Sequence, residues 1–500
     1  MVKRNLIANY LGQGWVALMG LAFVPLYIRY LGIEAYGLIG LFAVLAVWLT
    51  LFDMGMTPTI AREMARFRGG GHSSISIRNL LRSIEYIAVA AAILVAGVVF
   101  VASGWVAESW LKSEELSAAS KTQAIAIMGF VASVRLVEGV YRSSVVGLQR
   151  QVILNVAEGT LATVRGLGAV AVLAWLSPTI EAYFLWQGVV SVVSLTVLRY
   201  IAYSALPSAN RRAHFSIASL RKIGRFAGGM LGITFMSILL TQVDKMILSK
   251  LLLLSEYGYY ALASIIAGSL FVLIRPVVQA YYPQFSQLHV AANEPELVRK
   301  YHEGAQFVSV VAGSAAIVVI VFAHDILYLW TQDSSLSGRV APLLKLLMLG
   351  NLLNGLMWIP YQAQLAYGWT TLSMRGNMVA VAFIVPAFIW VSPRYGAEGA
   401  AWVWVALNAG YVLVGMHFMY RKMLRPEKWD WYFHDVLRPL SLAVIVVLIL
   451  GYLRPISEGG AIMKVGYLLL TSCLVLGAAS FGANIVKDRI KATITSFFQP

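Results

Sequence analysis

The chain has 500 residues, 59% of them hydrophobic and only 12% charged, with a formal net charge of +16 and a mean hydropathy of +0.74. A soluble domain carries about 25% charged residues, so half that share cannot wet a water-soluble protein of this length, and lipid must be the solvent for most of it. The Lys and Arg fall in short clusters between apolar runs rather than in one solvated patch, which argues against nucleic acid as a partner.

A hydrocarbon core of about 30 Å needs about 20 apolar residues. Stretches that meet this test run in chain order at 6–29, 36–60, 84–106, 122–146, 155–176, 181–202, 224–248, 257–282, 304–330, 340–366, 371–392, 397–420, 437–454 and 462–484. They predict an all-α polytopic membrane protein of about 14 transmembrane helices. Lys3 and Arg4 precede the first stretch as in a signal peptide, but that stretch is too long and lacks a small-x-small cleavage site, so it reads as a retained helix. All connections are short; the longest outward one is 107–121.

With the N-terminus inside, the inward loops at 62–82, 199–225 and 421–438 and the tail at 487–491 hold about half of the 39 Lys and Arg. This asymmetry predicts both termini in the cytoplasm. The basic loop after the sixth helix reads as a linker between two lobes, or as a loop resting on anionic headgroups. The predicted organisation is a six-helix lobe over 1–203, the basic linker 204–223, a second six-helix lobe over 224–422, an additional helix pair over 437–484 and a tail over 485–500. A weak internal repeat agrees: Tyr36-Gly37 opens the second helix and Tyr257-Gly258 the eighth, an offset of 221 that also sets Arg29 opposite Lys250. An even number of helices separates them, so the halves would insert in parallel.

The sequence has no Gly-Lys pair and therefore no phosphate-binding G-x-x-x-x-G-K-[ST] loop. The two G-x-G-x-x-A matches, at Gly12 and Gly166, lie inside apolar helices and read as packing glycines, as do Gly228 and Gly232. The seven histidines are scattered without metal-ligand spacing. No cofactor, metal site or catalytic constellation is expected.

Charges at membrane depth carry the remaining information, because in hydrocarbon they face a cavity or a partner. Arg135, Glu138 and Arg142 share one helix face and read either as a structural clasp or as a cationic site. Arg165, and Arg275 just before Pro276, have no carboxylate within a turn. Asp244 and Lys245 sit together near an outer helix end, and Lys345 lies in the tenth span. Arg29, Arg142 and Lys250 either snorkel to headgroups or join the site. Asp53 caps a helix, pairs with Arg62, or titrates as a coupling site; the structural role is favoured. Counting Arg135, Arg165, Lys245, Arg275 and Lys345 against Glu138 and Asp244 leaves a cationic interior suited to an anionic cargo.

Several segments have a familiar order: Val24-Pro25-Leu26-Tyr27-Ile28-Arg29-Tyr30-Leu31-Gly32-Ile33-Glu34-Ala35-Tyr36-Gly37, then Phe52-Asp53-Met54-Gly55-Met56, then Gln242-Val243-Asp244-Lys245-Met246-Ile247-Leu248 with Tyr257-Gly258-Tyr259-Tyr260-Ala261, and Tyr395-Gly396-Ala397-Glu398-Gly399. Over residues 5–420 the chain resembles Wzx-type polysaccharide flippases of the multidrug/oligosaccharidyl-lipid/polysaccharide exporter superfamily. The resemblance implies two six-helix lobes around a central cavity plus two C-terminal helices. It implies alternating-access transfer of undecaprenyl-pyrophosphate-linked oligosaccharide from the cytoplasmic to the periplasmic leaflet of a bacterial inner membrane, and no enzymatic activity. Its implied partners are that polyprenyl-pyrophosphate-linked oligosaccharide, membrane lipid, and a polysaccharide polymerase with chain-length proteins. By helix number it favours Arg29, Asp53, Asp244, Lys245 and Arg275 as cavity residues, and places Arg135 and Arg165 outside the inner set. The resulting candidates are Arg275, Arg29, Lys245, Arg135, Arg165 and Lys250 for substrate, and Asp53, Asp244 and Glu138 for ion coupling. A multidrug or other small-molecule antiporter of the same superfamily is the alternative, and a membrane polymerase or ligase acting on the same lipid a more distant one.

Overall fold

The computed structural model describes residues 2–207, 213–453 and 460–489. Among them helix is the only regular element, apart from one isolated bridge between Lys112 and Leu253. The chain divides into two compact units, Met1–Ala261 and Leu262–Pro500.

The first unit opens with α1 (Val2–Ala22) and α2 (Val24–Leu49). Pro25 sits in the first turn of α2, where a missing N–H costs nothing. Gly32 interrupts α2 with φ of 81°, a left-handed conformation that glycine adopts without steric cost. The first span therefore continues through α1 to residue 31, and the second begins just after Gly32. The second span ends sooner than the expected residue 60. After one turn at Thr50–Asp53, Met54 and Gly55 take φ of 49° and 71°, and the chain turns into a separate helix, α3 (Met56–Arg68). Hydropathy cannot register two successive left-handed residues, hence the overrun.

Then follow α4 (Ser74–Trp105), α5 (Ala118–Gly147), α6 (Gln151–Ala171) and α7 (Ile180–Ser204). Ser73, Ser117 and Thr179 cap α4, α5 and α7, each accepting from a backbone N–H three residues on. The core of α3, α4, α5 and α7 gathers Ile60, Met64, Leu81, Ile84, Val140 and Leu198. Not all basic residues of the first loop are free for headgroups. Arg66 and His72 contact the buried Glu63 at 3.2 and 2.7 Å, with Arg62 at 3.4 Å. Burial would raise the Glu63 carboxyl; the His72 hydrogen bond and the Arg66 and Arg62 charges hold it below its ordinary value.

The last helices of this unit are α8 (Ile217–Leu251) and the start of α9 (Leu254–Gly268). Helix α8 begins inside the expected linker 204–223, of which 208–212 lie outside the described residues, and it packs on α2, α3 and α4. No atom lies within 4 Å of where a Cβ on Gly228 or Gly232 would stand, so the small-residue contact expected there does not form among the described residues. A close seam lies elsewhere. A Cβ on Gly37 would stand 2.5 Å from the Leu254 carbonyl oxygen, and one on Gly258 2.5 Å from that of Ile33. One on Gly40 would stand 2.5 Å from the Ala261 Cβ. Each contact maps onto itself or its mate under the 221-residue offset, the reciprocity expected where two copies of a repeat meet. The loop after α4 ties this seam: the buried Glu34 carboxylate accepts from the N–H groups of Glu114, Glu115 and Leu116 at 2.9, 3.0 and 3.2 Å, while Leu254 N–H donates to the Lys112 carbonyl at 2.7 Å.

The second unit contains α10 (Leu270–Val290), α11 (Glu294–Val321), α12 (Ala323–Thr331), α13 (Ser334–Leu356), α14 (Trp358–Ala366), α15 (Thr370–Gly410) and α16 (Met416–Lys422). After a single turn α17 (Lys428–Asp430) come α18 (Arg438–Tyr452) and α19 (Ala461–Gly482). The expected span 304–330 starts instead at Glu294 and breaks at Phe322. The charged first turns of α11 lowered its hydropathy, but they are helical because Arg299 pairs with Glu296 at 2.5 Å and Lys300 with Glu303 at 3.0 Å. Gly396, at φ of 56°, splits α15 into the two expected spans. The terminal pair α18 and α19 docks on α11 through Val310, Ile317, Ala443, Val447, Val475 and Ala479. From the tail, Arg489 pairs with Glu303 at 2.6 Å and Ile485 N–H donates to Gln306 at 3.0 Å.

Twelve described segments are long and apolar enough to cross a membrane. Adding the first span, and dividing Thr371–Lys422 at Gly396, gives the expected fourteen. The protein is an all-α multi-pass membrane protein.

Candidate functional site

Polar side chains inside spanning helices gather where α2, α5, α6 and α7 of the first unit meet. On α5 the spacing of Arg135, Glu138 and Arg142 sets all three on one face. Arg135 donates to Ser191 Oγ at 3.3 Å and to Gln187 Oε1 at 3.2 Å, both one turn apart on α7. Its guanidinium stands 4.9 Å from the ring centre of Phe42 on α2, within cation–π range. Arg142 donates to Glu138 at 3.0 Å and forms an ion pair with Glu158 of α6 at 2.8 Å. The expected clasp of Arg135 with Glu138 is therefore drawn differently: Arg142 takes the carboxylate, and Arg135 turns to α7.

Arg165 follows Glu158 by seven residues on α6 and returns to the same face. It lies within electrostatic reach of Glu138, Arg142, Tyr183 and Glu158. Its Nε is buried without a hydrogen-bond partner among the described residues, as is Glu138 Oε2. Aromatic rings close the surroundings: Tyr27 meets Tyr183 edge-on at 5.2 Å, and Phe42 meets Phe184 at 5.5 Å. Three guanidinium groups face two carboxylates, leaving one positive charge in surplus. Away from water such a charge is costly until an anion joins it.

The other predicted residues make no hydrogen bond or ion pair with this cluster among the described residues. Tyr260 donates to Asp244 at 2.7 Å, and Lys245 Nζ contacts the same carboxylate at 3.2 Å and the Thr241 carbonyl at 3.0 Å. Lys250 Nζ lies 5.0 Å over the Trp110 ring. Arg29 on α2 and Arg275 on α10 are exposed and make no polar side-chain contact among the described residues. Asp53 is buried in the turn ahead of α3, whose N-cap is Gly55, and accepts from Thr57 N–H at 2.9 Å and Thr57 Oγ1 at 2.6 Å. Asp53→Asn is therefore expected to change stability by about 1 kcal/mol or less, since the amide oxygen can still accept from both Thr57 groups, and to keep transport. Loss of transport at unchanged melting temperature would mean that Asp53 titrates.

Glu158, Tyr27, Tyr183, Gln187 and Ser191 are members that sequence reasoning missed. Glu158 had a signal: it stands two turns from Arg165, beyond the single turn searched, yet on the same face. The α7 polar residues carry none, because Ser and Gln in an apolar helix gain meaning only from the helix they face.

The family model described as "Polysaccharide biosynthesis protein" matches residues 2–289. A Shigella flexneri protein described as "Putative O-antigen transporter" is 20% identical over 411 residues, 81% of this chain and 94% of that one. Among solved structures, lipid II flippase MurJ in an inward closed conformation superposes with a TM-score of 0.67 at 12% identity, covering 97% of this chain and 99% of MurJ. An inward-facing multidrug resistance MATE family transporter of the MOP superfamily gives 0.63 at 13% identity, over 84% and 96%.

Proposed function

The chain belongs to the polysaccharide biosynthesis protein family, and from that premise we propose that it is a flippase for undecaprenyl-pyrophosphate-linked oligosaccharide. In this reading it sits in a bacterial inner membrane with both termini in the cytoplasm. It carries repeat units to the periplasmic leaflet for surface polysaccharide assembly, where a polymerase and chain-length proteins take them up.

The observation that carries the reading is the surplus cation of the α5–α6–α7 cluster, with Arg165 Nε lacking a hydrogen-bond partner among the described residues. Pyrophosphate and sugars are too polar to cross hydrocarbon unaided. Guanidinium forks match phosphate oxygens two at a time and give up hydration more readily than an ammonium. Arg165 and Arg135 supply such forks within the first unit; Arg29 of the first unit and Arg275 of the second, each exposed and without a side-chain partner among the described residues, are separate candidates for the same chemistry. Lys245 and Lys250, engaged with Asp244 and Trp110, hold their positions rather than close on a ligand. Glu138, with a free oxygen beside Arg142, is the coupling candidate, and Asp244 the second. The polyprenyl tail stays in lipid while the headgroup crosses by alternating access. The basic inward loops support the orientation.

The test is reconstitution of the full chain in proteoliposomes with a fluorescent undecaprenyl-pyrophosphate oligosaccharide in one leaflet. Transfer to the other leaflet is expected, with Arg275→Ala slowing it roughly tenfold, the equivalent of about 1.4 kcal/mol. Absence of transfer together with proton-driven exchange of an organic cation would overturn the reading in favour of a multidrug antiporter.

A further inference from the structure

A cavity of about 870 Å³ lies in the second unit, and none of its lining residues belongs to the charged cluster. Its walls are α13–α14, the first half of α15 up to the Gly396 break, and the second half with the turn into α16. Along the first half of α15 the lining positions Gly376, Ala380, Phe383 and Ala387 follow helical spacing and form one apolar face. Several polar side chains of the wall are hydrogen-bonded within the protein: Asn354 donates to Asn408 at 2.8 Å, Trp358 to Asn354 at 3.0 Å, and Tyr411 to Asn377 at 2.9 Å.

Arg375 is the one charged residue of the lining. It is exposed and has no hydrogen bond or ion pair among the described residues. It stands near the end where α15 begins, with the Ser373–Gln364 hydrogen bond of 2.9 Å beside it. At that end Trp369 lies just before α15 and carries Lys422 from the end of α16, Nζ 4.6 Å over its ring, the pairing of aromatic and cation that membrane interfaces favour. From Arg375 to Ala387 the helix rises roughly 18 Å, close to half of a hydrocarbon core of about 30 Å. The groove is thus one leaflet deep, apolar along its length, and cationic at the headgroup end.

We infer that this groove binds one anionic phospholipid of the leaflet adjoining the start of α15, its acyl chain along α15 and its phosphodiester on Arg375. A single fixed cation matches a phosphodiester's single charge. A depth of one leaflet matches an ordinary acyl chain and falls short of a polyprenyl tail, so the occupant is a lipid of the bilayer itself and not the cargo. The inference stands whether or not the flippase reading does.

Native mass spectrometry of the full chain in detergent tests it, with phosphatidylglycerol and phosphatidylcholine of identical chains offered in competition. One phosphatidylglycerol is expected to be retained in preference by about fivefold, the size of one Arg attraction to an anionic headgroup. Arg375→Gln, an exposed change that leaves the fold alone, should bring the two lipids level. Ala406→Trp, which fills the groove, should remove the retained lipid of either kind. Unchanged preference in Arg375→Gln would overturn the assignment, and so would displacement of the phospholipid by undecaprenyl phosphate, which would make the groove a seat for the cargo's tail.

Discussion

Arg165→Ala is expected to cut delivery of lipid-linked oligosaccharide about a hundredfold while leaving the melting temperature unchanged or raised. Removing one partner of a balanced buried ion pair costs roughly 3–5 kcal/mol because it strands the other. Arg165 is not in that position: Arg142 already serves Glu138 and Glu158 at 3.0 and 2.8 Å, and Arg165 Nε has no hydrogen-bond partner among the described residues. Taking it away leaves Arg135 and Arg142 against two carboxylates and removes the surplus. Stability therefore has little to lose. An anionic headgroup would lose a charge-assisted fork worth about 1.5–3 kcal/mol in a site away from water, hence the size of the expected loss. Arg165→Lys keeps the charge but not the fork, and should fall between. Complementation of a strain lacking the protein, with lipid-linked intermediate measured alongside surface polysaccharide, separates the outcomes. Normal polysaccharide in Arg165→Ala would remove Arg165 from the cargo site, and a melting temperature that collapses would assign it a structural role.

The second large effect concerns the seam between α2 and α9. Gly40→Ala places a methyl group 2.5 Å from the Ala261 Cβ, and overpacking of this kind costs about 1–3 kcal/mol. Because the two positions face each other, Ala261→Gly should reverse the loss. The helix-propensity changes, about 1 kcal/mol each, have opposite sign and largely cancel. The double variant should melt near the parent, while Gly40→Ala alone melts well below it. Additive destabilisation would show that the helices do not meet at this point, since only touching residues couple. A rescued double variant would also tie the 221-residue repeat to a physical contact.

Much of the architecture was legible in the residues because it depends on local quantities. Burying about 20 apolar residues in lipid is a property of one segment, so the fourteen spans could be read, with edges up to ten residues off. The errors have local causes that hydropathy does not contain: the left-handed pair Met54–Gly55 that ends the second span early, and the ion-paired first turns of α11 that start the ninth early. Asp53 shows the same divide on a single residue. Its depth and charge suggested three roles, and the hydrogen bonds from Thr57 tie it to the first turn of α3.

The candidate site was half legible. Arg135, Glu138 and Arg165 stand out because ionised groups in hydrocarbon are expensive wherever they occur. Which carboxylate each meets depends on how α5, α6 and α7 are rotated about their axes, and that rotation is set by packing among helices distant in sequence. So the sequence by itself determined that this is a multi-pass helical protein with cations at membrane depth, since hydropathy and charge cost are summed along the chain. Only the tertiary structure decided that Glu158 joins Arg142, that Arg165 keeps a nitrogen without a partner among the described residues, and that Gly37, Gly40 and Gly258 form the seam. Those are distances between side chains on different helices, and no window along one helix contains them.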